Sequence, residues 1–519
     1  MTGGPIPTSN LACLLRQSAE RHPARPALVW GERRWTWAEM GRRVANAAGG
    51  LARLGVGKGD RVLAHARNGN ALFEGIWAAW TLGAVWAPSN HRLSPAEVAY
   101  LAGSCRAAVH LFDDAYPEHA AAARAANPAA RVHLGLAEWD RLAATDAPPP
   151  PLADMGRDDP AWLFYTSGTT GRPKAGILTH GQMAFVVTSH LCDLMPGTTE
   201  RDVSLVVAPL SHGAGIHALA QVARGAASVL PEGDRLDPEA AWALVERHRV
   251  TNMFTVPTIL NMLARDGAVD RHDHSSLRHV IYAGAPLHRA DQVHALRKLG
   301  PVLVQYFGLG EVTGNITALP PHLHSLDDDD PECPPGTCGQ ARTGMDVAIL
   351  DASGQRLPPG EAGEICVRGP AVFAGYLDND AANAAAFRHG WFHTGDLGRL
   401  DARGFLFITG RASDMYISGG SNVYPREVEE ALLLHQAVAE ACVVGMPHPK
   451  WGECGVAALV ARAGHAIDAG AVLASLEGRL ARYKWPARLE VWDALPRSGY
   501  GKVPKAEVKR LLGLHPAGA

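Results

Sequence analysis

Helix-type and strand-type patterns alternate through the first 150 residues, and the pattern resets near Gly410. Together these predict an α/β protein: a large N-terminal part of layered sheets and helices, followed by a small α+β C-terminal part. The 519 residues suit three or four structural units at about 150 residues each. A chain of this size buries a large core without disulfide or metal staples.

The elements follow in order. Leu11, Leu14 and Leu15 recur at helical spacing, and Ala27–Val29 reads as a strand that Gly31 turns towards an alternating run, Arg34–Trp37. Met40, Val44, Leu51 and Leu54 form a helical stripe stopped by Gly55. Arg61–Ala66 is a further strand. The apolar stretch Ala71–Pro88 carries Glu74 and two glycines, which makes it a buried helix and strand, not a membrane span. Pro148–Pro151 marks a linker, and Asp327–Asp330 a solvated acidic loop. Beyond Gly410 come a turn-rich segment, a Pro-initiated helix over 425–434, and mixed signals to the end. The expected domains are therefore 1–410 and a mobile 411–519.

Composition narrows the function classes. Lys+Arg 49 against Asp+Glu 52 leaves a net charge of -3, which argues against nucleic acid or an anionic membrane as the main partner. Eight scattered cysteines without a CxxC pair read as reduced thiols. The start, MTGGPIPTSN, lacks a basic, apolar leader. No segment reads as an integral membrane span, and the cytoplasm is the expected location. Oligomeric state is not legible.

The chemistry concentrates in glycine-rich segments. Ala161–Tyr165 reads as a buried strand running into Thr166, Ser167, Gly168, Thr169, Thr170, Gly171, Arg172, Pro173 and Lys174, with a helix expected from Thr179. Inward-turned N–H and hydroxyl groups beside a lysine suit an anion. Gly168 and Gly171 are too close for a Walker A loop. The full string resembles the signature loop of the adenylate-forming (AMP-binding) superfamily, which contains the acyl-CoA synthetases. Further stations resemble the family's in order: Ala208–His212, Ala283–Leu287, Tyr306–Glu311, Trp391–Asp396, Gly410–Arg411, Ser418–Pro425 and Pro496–Lys502.

That resemblance implies a two-step ligase. A carboxylate attacks the α-phosphate of ATP, giving acyl-adenylate and pyrophosphate; a thiol, usually of coenzyme A, then displaces AMP. It implies residue roles as well. Thr166–Gly171 and Lys174 would hold the phosphates, and Glu311 with Thr166 would hold Mg²⁺. Gly284, Ala285, Pro286, Phe307 and Gly308 would face adenine, with Tyr306 replacing the hydroxyl lost where the family has Tyr and this chain has Phe307. Asp396 and Arg411 would hold the ribose side. Lys502 would carry adenylation, and loss of its charge by acetylation would switch it off. His212 would line the acyl pocket, Gly213 and Gly215 leaving room there. Gly419 and Gly420 would flank the CoA tunnel, and Ser413 would be the hinge. His217, His272 and His274 read as structural.

Two positions depart from the family. Gly310 replaces a phosphate-side Thr, which would widen the pocket, and Ser413 replaces Asp or Lys. The expected enzyme is an acid–CoA ligase for an apolar carboxylic acid, fatty acids being favoured over aryl acids. Loading of a carrier protein is a further alternative; a catalytically silent nucleotide-binding module disagrees with the presence of Lys502 and Glu311. The pocket segments offer no Arg for a dicarboxylate.

Overall fold

The computed structural model describes residues 9–166, 173–233, 235–285, 287–418, 421–497 and 503–514. Two compact units divide the chain: Met1–Val347 with Val367–Phe392, and Ala348–Cys366 with His393–Ala519.

In the first unit, local signals become elements where the sequence demands them. Helix Trp37–Arg53 starts at a capping box, Thr36 accepting from the Glu39 N–H and Glu39 returning to the Thr36 N–H; it ends before Gly55 at φ +80°. The hairpin Pro26–Trp30/Arg33–Thr36 turns at Gly31, φ +58°. Asn70–Thr81 is a helix buried almost throughout, and Val85–Ser89 a buried strand. Strands buried on both faces belong to parallel sheets covered by helices.

Two such sheets form. One has the order 132–135, 109–112, 61–65, 85–89, 160–166, 174–179, parallel except at the last strand. The other has nine strands, with Leu303–Phe307, His279–Tyr282, Asn252–Thr255, Val203–Leu205, Ala227–Leu230 and Pro26–Trp30 parallel through its middle. Trp242, Val245, Leu263 and Leu299 from three helices pack on Val29, Leu205, Met253, Val280 and Leu303 of that sheet. Ligands of parallel sheets collect beyond the carboxyl ends of the strands. Here those ends lead into Thr166, Val206–His212, Ala283–Ala285 and Gly308–Glu311.

The glycine-rich loop connects two strands, not a strand and a helix. Pro160–Thr166 runs antiparallel to Lys174–Thr179, with Thr166 opposite Lys174, and only then does helix His180–Ser189 begin behind its Thr179 cap. Residues 167–172 of the loop, Pro286, Gly419, Gly420 and Lys502 lie outside the described residues.

The second unit is α+β. Strands Val438–His448 and Gly452–Ala461 alternate their side chains between two cores. Val443, Ala457 and Leu459 meet Val428 and Leu432 of helix Pro425–Leu433. Val444, Val456 and Ala458 meet Val508 and Leu512 of helix Lys505–Leu514. Strand Trp391–Leu400, which enters this unit at His393, pairs with Leu406–Arg411. All eight cysteines are free thiols. Among the described residues no helix is long and apolar enough to cross a membrane.

Glu74, 0% exposed, is the charge the buried helix must neutralise. Arg43 forks onto it, and Trp139 Nε1 donates at 2.7 Å; Arg43 also reaches Asp140 at 2.7 Å. Removing the cation would leave a buried carboxylate uncompensated. Arg43→Met should therefore lower stability by about 3–5 kcal/mol in chemical denaturation. Arg43→Met combined with Glu74→Gln should recover part of that loss.

Candidate active site

Glu311 sits in a short turn, Gly310–Val312, just after strand Leu303–Phe307, and is 5% exposed. Its Oε1 accepts from the Thr166 hydroxyl at 2.9 Å and the Tyr376 hydroxyl at 3.0 Å. Its Oε2 accepts no hydrogen bond among the described residues. Lys174 Nζ lies 5.2 Å from the centre of the Tyr376 ring. Burial, reinforced by the Glu311 charge, pushes the Tyr376 phenol pKa up, so its proton stays in place to donate. Thr166, Lys174 and Glu311, far apart in sequence, are thus brought together. Tyr376 completes the group and was not legible in sequence; it follows no loop signature and arrives by pairing at Gly176.

A carboxylate oxygen and a threonine hydroxyl are hard oxygen donors, the set that suits Mg²⁺. Thr166 and Glu311 therefore fit the expected cation.

Gly310 does not widen anything. A Cβ there would stand 2.5 Å from Phe164 Cδ1 and 2.9 Å from Thr166 Cγ2. The volume of the missing Thr side chain is filled by the Phe164 ring. Gly308 is required for a different approach: its Cβ would lie 2.5 Å from Gly314 Cα, so two backbones touch there. Gly284 has φ +84°, a conformation that favours glycine, and with Ala285 it is exposed beyond strand His279–Tyr282.

Tyr306 does not replace the missing hydroxyl at Phe307. Neighbours on a strand face opposite ways, and Phe307 is half-buried while Tyr306 is 8% exposed. Tyr306 stacks on Phe254, centroids 5.9 Å apart and planes at 22°. The side chain belongs to a separate cluster of rings with Phe254 and His190.

His212 caps helix Gly213–Arg224, and its Nδ1 lies 2.9 Å from Ser211 Oγ. The Phe164 ring meets it edge-on at 5.3 Å. Gly213 and Gly215 do not leave room: a Cβ at 213 would be 2.5 Å from Phe254 Cζ, and one at 215 would be 2.0 Å from the Leu210 carbonyl oxygen. They let Phe254 and the chain pack close. His190 meets Tyr306 at 6.1 Å and His217 at 5.6 Å. Burial lowers the His217 pKa to about 4, and Ser204, Asn252 and Gln221 surround its Nε2. His272 bridges Glu239 and Glu246 on the surface, and His274 contacts the carbonyls of His272 and Lys298.

In the second unit Asp396, 5% exposed, stands opposite Arg411 in register, and the Arg411 Nε donates to its Oδ1 at 2.9 Å. Gly410, just before Arg411, has φ +159°. Ser413 is exposed in the following turn, its hydroxyl 3.2 Å from Asp414.

Known proteins match this chain along nearly its whole length. The family model for AMP-binding enzymes covers residues 15–377, and that for the AMP-binding enzyme C-terminal domain covers 427–502. A feruloyl-CoA synthase from Amycolatopsis is 38% identical over 95% of this chain and 97% of its own. An indoleacetate–CoA ligase from Aromatoleum aromaticum is 32% identical over 96% and 98%. Among solved structures, ATP-bound MatB from Rhodopseudomonas palustris has a TM-score of 0.88 at 29% identity, covering 97% of this chain and 99% of that one. The o-succinylbenzoate CoA synthetase of Bacillus subtilis, with its acyl-adenylate, has a TM-score of 0.83 at 32% identity, covering 96% and 97%. The family's reactants are ATP with Mg²⁺, a small acid and coenzyme A, and the geometry around Glu311 is of the kind such chemistry needs. The chain belongs to the AMP-binding enzyme family, the adenylate-forming acyl-CoA synthetases.

Proposed function

We propose that the protein is an ATP-dependent acid–CoA ligase whose substrate is an aryl-type carboxylic acid. The observation that carries the substrate class is a set of rings: Phe164 meets His212, Phe254 meets Tyr306, and the Gly213 backbone next to His212 lies against Phe254. Rings packed edge-on and offset favour a flat conjugated guest over a flexible alkyl chain. The relatives named for ferulate, indoleacetate and 2-succinylbenzoate support the same reading. In sequence, a pocket of Gly, Ala, Ile, Leu and His suits fatty and aryl acids alike, with a slight lean to fatty acids; Phe164, Phe254 and Tyr306 come from outside that segment. One relative named for medium and long fatty acids, 31% identical, keeps the comparison sharp.

In this mechanism the acid's carboxylate attacks the α-phosphate, pyrophosphate leaves, and the CoA thiolate then displaces AMP. Two anions must meet in the first step, so charge neutralisation is the central requirement. Lys174 with Thr166, Ser167, Gly168, Thr169, Thr170 and Gly171 holds the phosphates. Mg²⁺, when held by Glu311 and Thr166, supplies further neutralisation. Tyr376 fixes the orientation of the Glu311 carboxylate. Asp396, oriented by Arg411, accepts from ribose hydroxyls; Gly284, Ala285, Pro286, Phe307 and Gly308 meet adenine. His212 faces the acid, Gly419 and Gly420 the pantetheine arm, and Lys502 the developing charge of adenylation. Ser413 serves as the hinge of a small domain beginning near 411. A cytoplasmic location belongs to the same proposal.

Three outcomes test it. In a panel of cinnamic, benzoic, indole-acetic and saturated fatty acids, assayed by CoA-dependent AMP release, the best aryl acid should exceed the best fatty acid by at least about tenfold in kcat/KM. The reverse order would reject the aryl assignment while leaving the ligase intact. Lys502→Ala should lose about 10²–10³ in acyl-adenylate formation yet still convert supplied acyl-AMP and CoA to thioester; equal loss in both steps contradicts the role. Gly310→Thr should push Phe164 and Thr166 aside and slow pyrophosphate release about tenfold. Adding Phe164→Ala should restore most of that rate, since the two positions share one volume.

A further inference from the structure

Beside Tyr306 lie polar groups that the described residues leave unsatisfied. Arg342 is 2% exposed, His190 1% and Asn315 0%. The Arg342 guanidinium donates through Nε to Asp193 at a long 3.4 Å and through Nη1 to the Gly314 carbonyl at 3.3 Å. Among the described residues its Nη2 has no hydrogen-bond partner, nor do Nδ1 and Nε2 of His190 or Oδ1 of Asn315. Asp193 is already engaged by the Thr343 hydroxyl at 2.7 Å and the Ser189 hydroxyl at 3.0 Å, so it satisfies the guanidinium incompletely. A buried donor or acceptor without a partner is costly and rare. Gly314 links them, since its carbonyl accepts from Arg342 and Asn315 follows it in the chain, and the four atoms are open to the polar groups of a ligand.

Their position says which part of a ligand. Gly314, whose carbonyl holds Arg342, lies against the Tyr306 ring: a Cβ there would stand 2.2 Å from Tyr306 Cε2. His190 meets the same ring at 6.1 Å, at the first residue of a π-helical turn, His190–Leu194, a distortion that often marks functional positions. Asn315 follows soon after Glu311 in the chain, while His190 and Arg342 come from other segments.

Resting on the aryl reading above, we propose that Arg342, His190 and Asn315 recognise a hydroxyl, with or without an adjacent alkoxyl, on the substrate ring. The chemistry favours a neutral oxygen substituent over a second carboxylate. A phenolic hydroxyl accepts from the Nη2 N–H and donates to Asn315 Oδ1 or to a His190 nitrogen, matching donors and acceptors together. A second carboxylate would leave Asn315 facing another acceptor. Burial keeps His190 well below its ordinary pKa, so it is neutral and adds no charge for an anion. Burial also draws the guanidinium down to about 10, which leaves it protonated at neutral pH, with Asp193 beside it.

The test compares cinnamic, para-hydroxycinnamic, para-hydroxy-meta-methoxycinnamic and para-carboxycinnamic acids. The intact enzyme should prefer the hydroxylated acids over cinnamic acid by about 10–100-fold in kcat/KM, the range for hydrogen bonds to charged or buried groups. Arg342→Met and His190→Phe should each reduce that ratio at least about tenfold. Arg342→Met/Asp193→Asn, which removes the abandoned carboxylate, repeats the measurement if the single variant folds poorly. A ratio near one in the intact enzyme, a ratio unchanged in the variants, or a preference for the para-carboxy acid would each overturn the assignment. Turnover of fatty acids with no aryl acid accepted would instead reject the aryl reading itself, and this recognition with it.

Discussion

A buried carboxylate has to find donors, and at Glu311 that requirement organises the active end of the first unit. Thr166 terminates a strand of the six-stranded sheet, Glu311 follows a strand of the nine-stranded sheet, and their 2.9 Å hydrogen bond ties the two strand ends together. Tyr376 brings in a third segment, which pairs through Gly176 with the strand leaving the glycine-rich loop. Because Thr166 and Lys174 are cross-strand partners, fixing one fixes the start of the other. The phosphate-side groups are thus held by two ladders and one carboxylate. Hydrogen bonds to an ionised acceptor are stronger than neutral ones, which suits this junction to the work.

Local rules made much of the architecture readable. Stripes such as Met40, Val44 and Leu51, and the Gly31 and Gly55 punctuation, act within one turn of chain and were found where expected. The strand Lys174–Thr179 was missed because its neighbour is supplied across the loop, and six residues carry little periodicity of their own. The same division holds at the site. Glu311, Thr166, Lys174, Asp396 and Arg411 were visible through motifs, since their roles depend on residue type at fixed spacing. Tyr376, Phe254, His190 and Arg342 were not, because each arrives through tertiary pairing from a segment with no signature of its own.

The Gly310 departure from the family pattern is compensated locally. Gly310 in isolation looks like a lost hydroxyl and an empty volume; in the fold, Phe164 occupies the space and also touches His212. Gly310 and Phe164 share one packing volume. Close-packed interiors rarely leave such a volume open, so a missing side chain should be read together with whichever neighbour is larger.

Strand Leu303–Phe307 carries a further consequence. Tyr306 turns towards Phe254 and His190, while Phe307 turns to the opposite face, where adenine is assigned. Adjacent codons therefore supply side chains to separate surroundings. Under the proposed roles, point changes at 306 would alter which acid is accepted without disturbing nucleotide contacts, whereas an insertion or deletion within the strand would exchange the two faces at once. On the proposed assignment, diversification of acid preference would be open to substitution and closed to length change at that strand.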